Sequence, residues 1–277
     1  LAQPVGHYDR RGRLLGYNYS GLRPFIKQVL NTGKSWHFIE SVIIDNDIWF
    51  LSSDRYRQEQ AFADKLVSSY VIKDISDDEL DDYIDEYEKH CDRKLDWSQN
   101  MAVKDALMNK VSIIKGRPGY GKSSVIDAIC YCYGKIAHKR CLCDKIVLLT
   151  VSGMAAQRLR DENVYGPQLN RSHKLSGHVG YLNESVMTIA RAVRSGSAML
   201  EKAALVIVDE SSMCSLEDFH SILAGMNPSA RFILVGDEAQ LPPIGCEQGF
   251  LDAIRVSEDS IVPYAVSTLM ENHRLAN

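Results

Sequence analysis

Gly116-Arg117-Pro118-Gly119-Tyr120-Gly121-Lys122-Ser123 spells G-x-x-x-x-G-K-[ST], the pattern of a loop that wraps a phosphate chain. The chemistry follows from the residue types. Glycines let backbone N–H groups turn inward around a β-phosphate, and a helix that starts at the loop adds a favourable dipole. The Lys122 ammonium is a point charge for β- and γ-phosphates, and the Ser123 hydroxyl is a ligand for Mg²⁺. The set read as holding nucleotide is Gly116, Pro118, Gly119, Gly121, Lys122, Ser123 and Ser124, with ATP and Mg²⁺ as the cofactors. The flanks agree, since residues 110–115 read as a short apolar strand and 123–133 as a helix.

Further along, Ala204-Leu205-Val206-Ile207-Val208 is an unbroken apolar run that ends in Asp209-Glu210. A strand buried on both faces reads this way, and its carboxyl end is where an open α/β sheet places ligands. In that position Asp209 holds the metal shell and Glu210 orients and deprotonates an attacking water. Taken alone, an Asp-Glu pair reads as a solvated loop acid or a helix cap. A second such run, Arg231-Phe232-Ile233-Leu234-Val235, leads into Gly236-Asp237-Glu238-Ala239-Gln240-Leu241-Pro242-Pro243. Gln240 there is a neutral group able both to donate and to accept, suited to sensing a γ-phosphate.

The order of these motifs resembles the RecD-like helicases of superfamily one. The collinear set is Gln99-Asn100-Met101-Ala102-Val103, the phosphate loop, Val151-Ser152-Gly153-Met154-Ala155-Ala156-Gln157-Arg158-Leu159, Ser172-His173-Lys174-Leu175, Asp209-Glu210-Ser211-Ser212-Met213, the Gly-Asp-x-x-Gln-Leu-Pro-Pro string and Glu271-Asn272-His273-Arg274. The resemblance covers roughly residues 55–277. It implies an ATP-driven motor that moves five-prime to three-prime on single-stranded DNA. It also implies that Gln99 faces the adenine, that Arg274 contacts the γ-phosphate, and that Ser152, Gly153 and His173 touch the strand. Lys122, Glu210, Gln240 and Arg274 are then the catalytic set, and Ser123 with Asp209 the metal set. The phosphate loop departs from the family's usual form at Arg117, Tyr120 and Ser123 without losing a required group. Thr150-Val151-Ser152-Gly153 lacks the family's proline and keeps a hydroxyl.

The elements that must position these residues read as alternating strand, loop and helix from about residue 95. That order argues an α/β fold with a RecA-like doubly wound parallel sheet, its strands at 111–115, 146–151, 205–208, 232–235 and near 262–269. Residues 1–94 read as a small α+β N-terminal domain. It holds a hairpin across residues 36–51 about Asp45-Asn46-Asp47, and a helix at 53–70 capped by Ser53 or Asp54. Leu80, Tyr83, Ile84 and Tyr87 recur at helical spacing within the acidic segment 74–88, which reads as a helix with one buried stripe and a solvated acidic face. The opening interleaves Arg10, Arg11, Arg13, Arg23 and Lys27 with Tyr8, Tyr17 and Tyr19. That mixture fits a solvated loop and also suits a phosphate backbone with stacked bases. The 163–197 connection, with Arg171, His173, Lys174, Arg191 and Arg194, is long enough to be a DNA-facing excursion.

Composition bounds the rest. The chain has 277 residues, 45% hydrophobic, and a net charge of −4, so it can bury a sizeable core and is not announced as a nucleic-acid binder by charge. No apolar run suits a membrane span and no secretory leader opens the chain, so the expectation is a cytoplasmic protein. Seven cysteines argue for free thiols, and the Cys130, Cys132, Cys141 and Cys143 group lacks the usual structural-zinc spacing. The chain begins at Leu1 and ends just past Arg274. The expectation is therefore the N-terminal and first motor portion of a larger helicase, nearly inactive as an ATPase by itself because a second RecA-like domain is missing. A non-motor phosphate-loop switch or small-molecule kinase, a module whose nucleotide only props up the fold, and an RNA helicase stay open beside it.

Overall fold

Strands made of unbroken Val, Ile and Leu must be covered on both faces, and that requirement shapes the larger part of this chain. The computed structural model describes residues 5–8, 14–18, 39–44, 47–72, 75–143, 145–161, 186–194, 198–240 and 249–273. The readings on His173, Arg171, Lys174, Arg274, Cys246 and most of the basic opening lie outside the described residues. Contacts divide the chain into two units, Leu1–Gln60 and Ala61–Asn277.

In the first unit β1 (Val5–Tyr8) pairs antiparallel with β2 (Leu14–Asn18), and β3 (Ile39–Ile44) with β4 (Asp47–Ser52). The β3 and β4 register runs from Ile39 opposite Ser52 to Ile44 opposite Asp47, which is the hairpin expected from the sequence. Helix α1 (Ser53–Val67) follows, with Ser53 to Gln60 in this unit and Ala61 to Val67 in the second.

The second unit is built on β5 (Val111–Lys115), β6 (Ile146–Thr150), β7 (Val186–Thr188), β8 (Leu205–Val208), β9 (Arg231–Gly236) and β10 (Ala265–Thr268). All pair in parallel, in the order β10-β5-β9-β8-β6-β7. Five of the six strands are those read from the sequence. The exception is the edge strand β7, whose three residues are too few to show a period and fall within the stretch read as a long connection.

Alternation along the strands feeds two cores. Ile114, Leu148, Ile207, Ile233 and Val235 face one; Ile113, Val147, Val206, Val208, Phe232 and Leu234 face the other. The first is covered by α2 (Asp77–Cys91), α3 (Trp97–Met108) and α4 (Lys122–Lys139). The second is covered in part by Phe219 of α8 (Leu216–Gly225), stacked on Phe62 with ring centroids 4.6 Å apart, and by Phe250 of α9 (Gly249–Asp259). Between β6 and β8 lie α5 (Gly153–Asp161) and the short α6 (Ile189–Arg194) and α7 (Ala198–Glu201).

Helix α2 is the acidic segment, and it packs within the second unit although it precedes residue 95. Ser76 caps it by accepting from the Glu79 N–H, and Leu80, Ile84 and Tyr87 are buried as its stripe predicts. Its acids are matched from the neighbouring helices: Glu79 by Lys139 and Arg140, Glu86 by Lys135, and Asp81 by Lys104. Helix α4 is apolar nearly all round and runs through the core, the position such a helix needs. Cys130 and Cys132 are buried on it, where burial pushes both thiols up, while Cys141 and Cys143 are exposed. These four do not gather into a metal site.

Candidate functional site

The phosphate-type loop leaves β5 at Gly116, whose N–H donates to the Gly236 carbonyl at the end of β9 (3.1 Å), and enters α4 at Lys122. Gly119 and Gly121 have φ of 89° and 78°, in the left-handed region where glycine is at home. Gly121 is also close-packed: a Cβ there would lie 2.1 Å from Gln99 Nε2. As the N-cap of α4 it offers no side chain, so no side chain caps that helix and its first N–H groups are left to face the loop.

Around the loop lies a cleft of about 450 Å³, and the carboxyl ends of β5, β6, β8 and β9 feed it. Arg117, Pro118, Gly119, Gly121, Lys122 and Ser123 form one wall. Asp209 and Glu210 come from the end of β8, Gln240 from the turn after β9, and Ser152 with Met154, Ala155 and Leu159 from the start of α5. This is the crevice outside the strand ends that an open parallel sheet provides. Lys122 Nζ donates to the carbonyl oxygens of Gly116 and, at 3.2 Å, Arg117, so the ammonium is curled over its own loop. The Asp209 N–H donates to the Leu149 carbonyl (2.8 Å), and Asp209 Oδ1 accepts from the Glu210 N–H (2.9 Å). Glu210 has φ of 56°, a strained backbone for a residue other than glycine, and it turns the chain into the 3-10 turn Ser211–Met213.

Of the sequence-read residues, Pro118, Gly119, Gly121, Lys122, Ser123, Asp209, Glu210, Gln240 and Ser152 line this one cleft. Others do not. Gln99 is 2% exposed and spends both ends of its amide on structure. Its Oε1 accepts from the Asp96 N–H (3.1 Å), and its Nε2 donates to the Tyr120 carbonyl (3.2 Å). Asp96 Oδ1 returns the bond by accepting from the Gln99 N–H, so the two form a capping box at the start of α3 that also holds the loop. The Gln99 amide thus braces the loop from beneath. Ser124 turns from the cleft, its Oγ accepting from Arg93 at 2.7 Å. Gly116 is packed under the side chain of Leu269 instead of lining the wall. At Gly153 a Cβ would meet nothing within 4 Å, so packing does not require glycine there. Ser152, read as a strand contact, caps α5 by accepting from the Ala155 N–H (3.1 Å) and faces the same cleft as Lys122.

His273 was missed. It lines the cleft, its N–H donates to the Gly119 carbonyl (3.0 Å), and its ring Nε2 lies 2.8 Å from Asp96 Oδ2. Burial works to raise the Asp96 carboxyl, but hydrogen bonds from Ser98, the Gln99 N–H and His273 outweigh it and hold the group low. The signal available was its place beside Arg274 in the last motif, together with the D-x-x-Q spacing of Asp96 and Gln99.

The cleft combines donors for an anion with two carboxylates and a hydroxyl. The Ser123 hydroxyl and Asp209 carboxylate are hard oxygen donors of the kind Mg²⁺ takes, so the residues fit such an ion.

A family model described as an AAA domain matches residues 99–246. The chain is 27% identical over 202 residues to the RecBCD enzyme subunit RecD of Haemophilus influenzae, an alignment that takes in 69% of this chain and 31% of that protein. It is 31% identical over 147 residues to the ATP-dependent RecD2 DNA helicase of Deinococcus radiodurans, covering 53% of this chain and 18% of that protein. The crystal structure of Pif1 helicase from Candida albicans is 22% identical with a TM-score of 0.40, over 64% of this chain and 40% of that one. The chain therefore spans about a third or less of the length of the curated relatives.

Proposed function

The chain belongs to the AAA domain family, and from that membership we propose that it is the nucleotide-binding portion of an ATP-dependent DNA helicase of the RecD kind. One observation carries the reading: the uncapped α4 N-terminus, Lys122, Ser123, Asp209, Glu210 and Gln240 all face a single cleft. The relative named as an ATP-dependent RecD2 DNA helicase supplies the choice of DNA.

The work of each residue follows from its place. The α4 N–H groups and the loop backbone cradle the β-phosphate of ATP. Lys122 exchanges its contacts with the carbonyls of Gly116 and Arg117 for phosphate oxygens, a swap of weak dipoles for full charges. Ser123 and Asp209 are the residues that would hold Mg²⁺, which would supply positive charge to the phosphate chain. Glu210, aimed by its strained backbone, accepts the proton of the attacking water. Arg274 and His173 extend this proposal to the γ-phosphate and to the strand. His273 and Gln99 tie loop, α3 and the segment after β10 together, so closure on nucleotide passes directly to that segment.

The test is unwinding by the whole protein on matched DNA and RNA duplexes bearing tails of either polarity, with ATP turnover followed in parallel. Unwinding of DNA with a five-prime tail, and ATP turnover stimulated by single-stranded DNA, is the expected result. Turnover indifferent to any strand makes the protein a phosphate-loop enzyme of another class, and preference for the RNA duplex makes it an RNA helicase. No helix among the described residues is long and apolar enough to cross a membrane.

A further inference from the structure

Gln240 faces the cleft, but what it shows to the cleft is decided behind it. Ser212 lies in the 3-10 turn two residues beyond Glu210, is 2% exposed, and does not line the cleft. Its hydroxyl stands between two groups. The Asp237 backbone N–H donates to Ser212 Oγ (3.4 Å), and Ser212 Oγ donates to Gln240 Oε1 (3.1 Å). A backbone N–H only donates, so the hydroxyl accepts on that side and its own proton goes to the amide oxygen. The bond holds Oε1 toward the turn, so the end of the Gln240 amide without a partner among the described residues is Nε2, a donor and nothing else. The backbone of this turn is pinned as well: the Gln240 N–H donates to the Asp237 carbonyl (3.1 Å), and the Ala239 N–H to Asp237 Oδ1 (2.9 Å). Gly236 permits the close approach, since a Cβ there would lie 2.9 Å from the Ser212 backbone nitrogen and 2.8 Å from the Phe250 ring.

We propose that Ser212 is a positioning residue that makes Gln240 a hydrogen-bond donor toward the cleft, so that Gln240 reads the terminal phosphate of a nucleoside triphosphate as an anion instead of holding a water as an acceptor. The inference rests on the phosphate-loop reading of the cleft. Its consequence is selective. A donor aimed at the third phosphate strengthens binding of ATP and leaves ADP untouched. Since Ser212 shares its turn with Glu210, the same bond ties the sensing amide to the base that acts on the water.

The test is calorimetric binding of ATP and of ADP, each with Mg²⁺, to the 277-residue chain and to Ser212→Ala, Ser212→Thr and Gln240→Glu. The chain prefers ATP to ADP. Ser212→Ala lowers ATP affinity about three- to tenfold, the scale of one lost hydrogen bond between neutral groups, and keeps ADP affinity. Ser212→Thr, which retains the hydroxyl, restores the preference. Gln240→Glu keeps an oxygen for Ser212 but sets a carboxylate toward the phosphate, and loses at least as much ATP affinity as Ser212→Ala. Unchanged ADP binding shows that the variants are folded. A chain that binds neither nucleotide overturns the phosphate-loop reading itself. ATP preference that survives Ser212→Ala, equal loss of both nucleotides in that variant, or wild-type ATP affinity in Gln240→Glu overturns the role given to Ser212 and leaves the cleft reading intact.

Discussion

Lys122 already makes the kind of contact that a phosphate would replace, and this sets the size of its contribution. Its ammonium rests on loop carbonyls, so removing it keeps the loop's glycines and N–H groups and takes away the charge together with those bonds. Lys122→Ala is expected to weaken ATP binding roughly tenfold or more, the scale of a lost charge-assisted contact, with the thermal midpoint of the chain nearly unchanged. Titration calorimetry of ATP into the chain and into Lys122→Ala reads this directly, and equal affinities would remove Lys122 from the site. Glu210 has a separable role. Glu210→Gln keeps shape and hydrogen bonding but cannot take a proton, so in the whole protein turnover falls by about a hundredfold or more while ATP still binds. A steady-state rate equal to wild type would mean that another group activates the water.

Helix α4 joins the loop to the core, and α2 is fastened to it by a half-buried polar contact. The Tyr87 hydroxyl donates to Asp127 Oδ2 (3.0 Å), and Arg93 reaches the same turn through Ser124. Burial pushes the Asp127 carboxyl up to about 7 from an ordinary value of 3.8, against the lowering pull of the Tyr87 hydrogen bond and the Arg93 charge. The sign is that of a raised acid: the fold favours the protonated form. This contribution is whole below about pH 4, is lost as pH rises because the unfolded chain ionises first, and levels off above the folded value near 7. Asp127→Asn, which still accepts from Tyr87, is expected to be neutral near pH 4 and to stabilise above pH 7 by on the order of 1–3 kcal/mol. Thermal melts across that range check it, and a gain independent of pH would mean that the carboxyl is not the cause. Gly236 is the corresponding point on β9. Gly236→Ala forces a Cβ against both the Phe250 ring and the Ser212 backbone, one of which is not free to move. The expected cost is about 1–3 kcal/mol in a urea melt, as for overpacking in a filled core.

A sheet with a separate apolar core on each face depends on both. Phe219 is fully buried on the face opposite α4 and stacks on Phe62, so it closes the second core against the sheet. Phe219→Ala is expected to cost about 3–5 kcal/mol, a large share of the stability of an ordinary domain, and to lower the denaturation midpoint without touching a cleft residue. Ion pairs such as Lys135 with Glu86 are partly exposed and contribute little by comparison, and raising the salt concentration is expected to shift the midpoint only slightly.

Gly116 through Ser123, Asp209-Glu210 and the apolar runs before them were legible because their chemistry is local: a turn, a charge and a strand are each written within a few adjacent residues. The stripe of Leu80, Ile84 and Tyr87 was legible for the same reason, since helical period alone decides which residues share a face. What tertiary structure decided are pairings between distant positions. His273 meets Asp96 across 177 positions, and Ser212 meets Gln240 across 28, and no periodicity records either. Gln99 was read by its motif as a residue of the nucleotide face, yet its amide braces the loop from beneath. Its side of α3 and the approach of Gly121 are set by how α3 packs beside α4, a matter of helix rotation and sheet order that the local sequence does not contain.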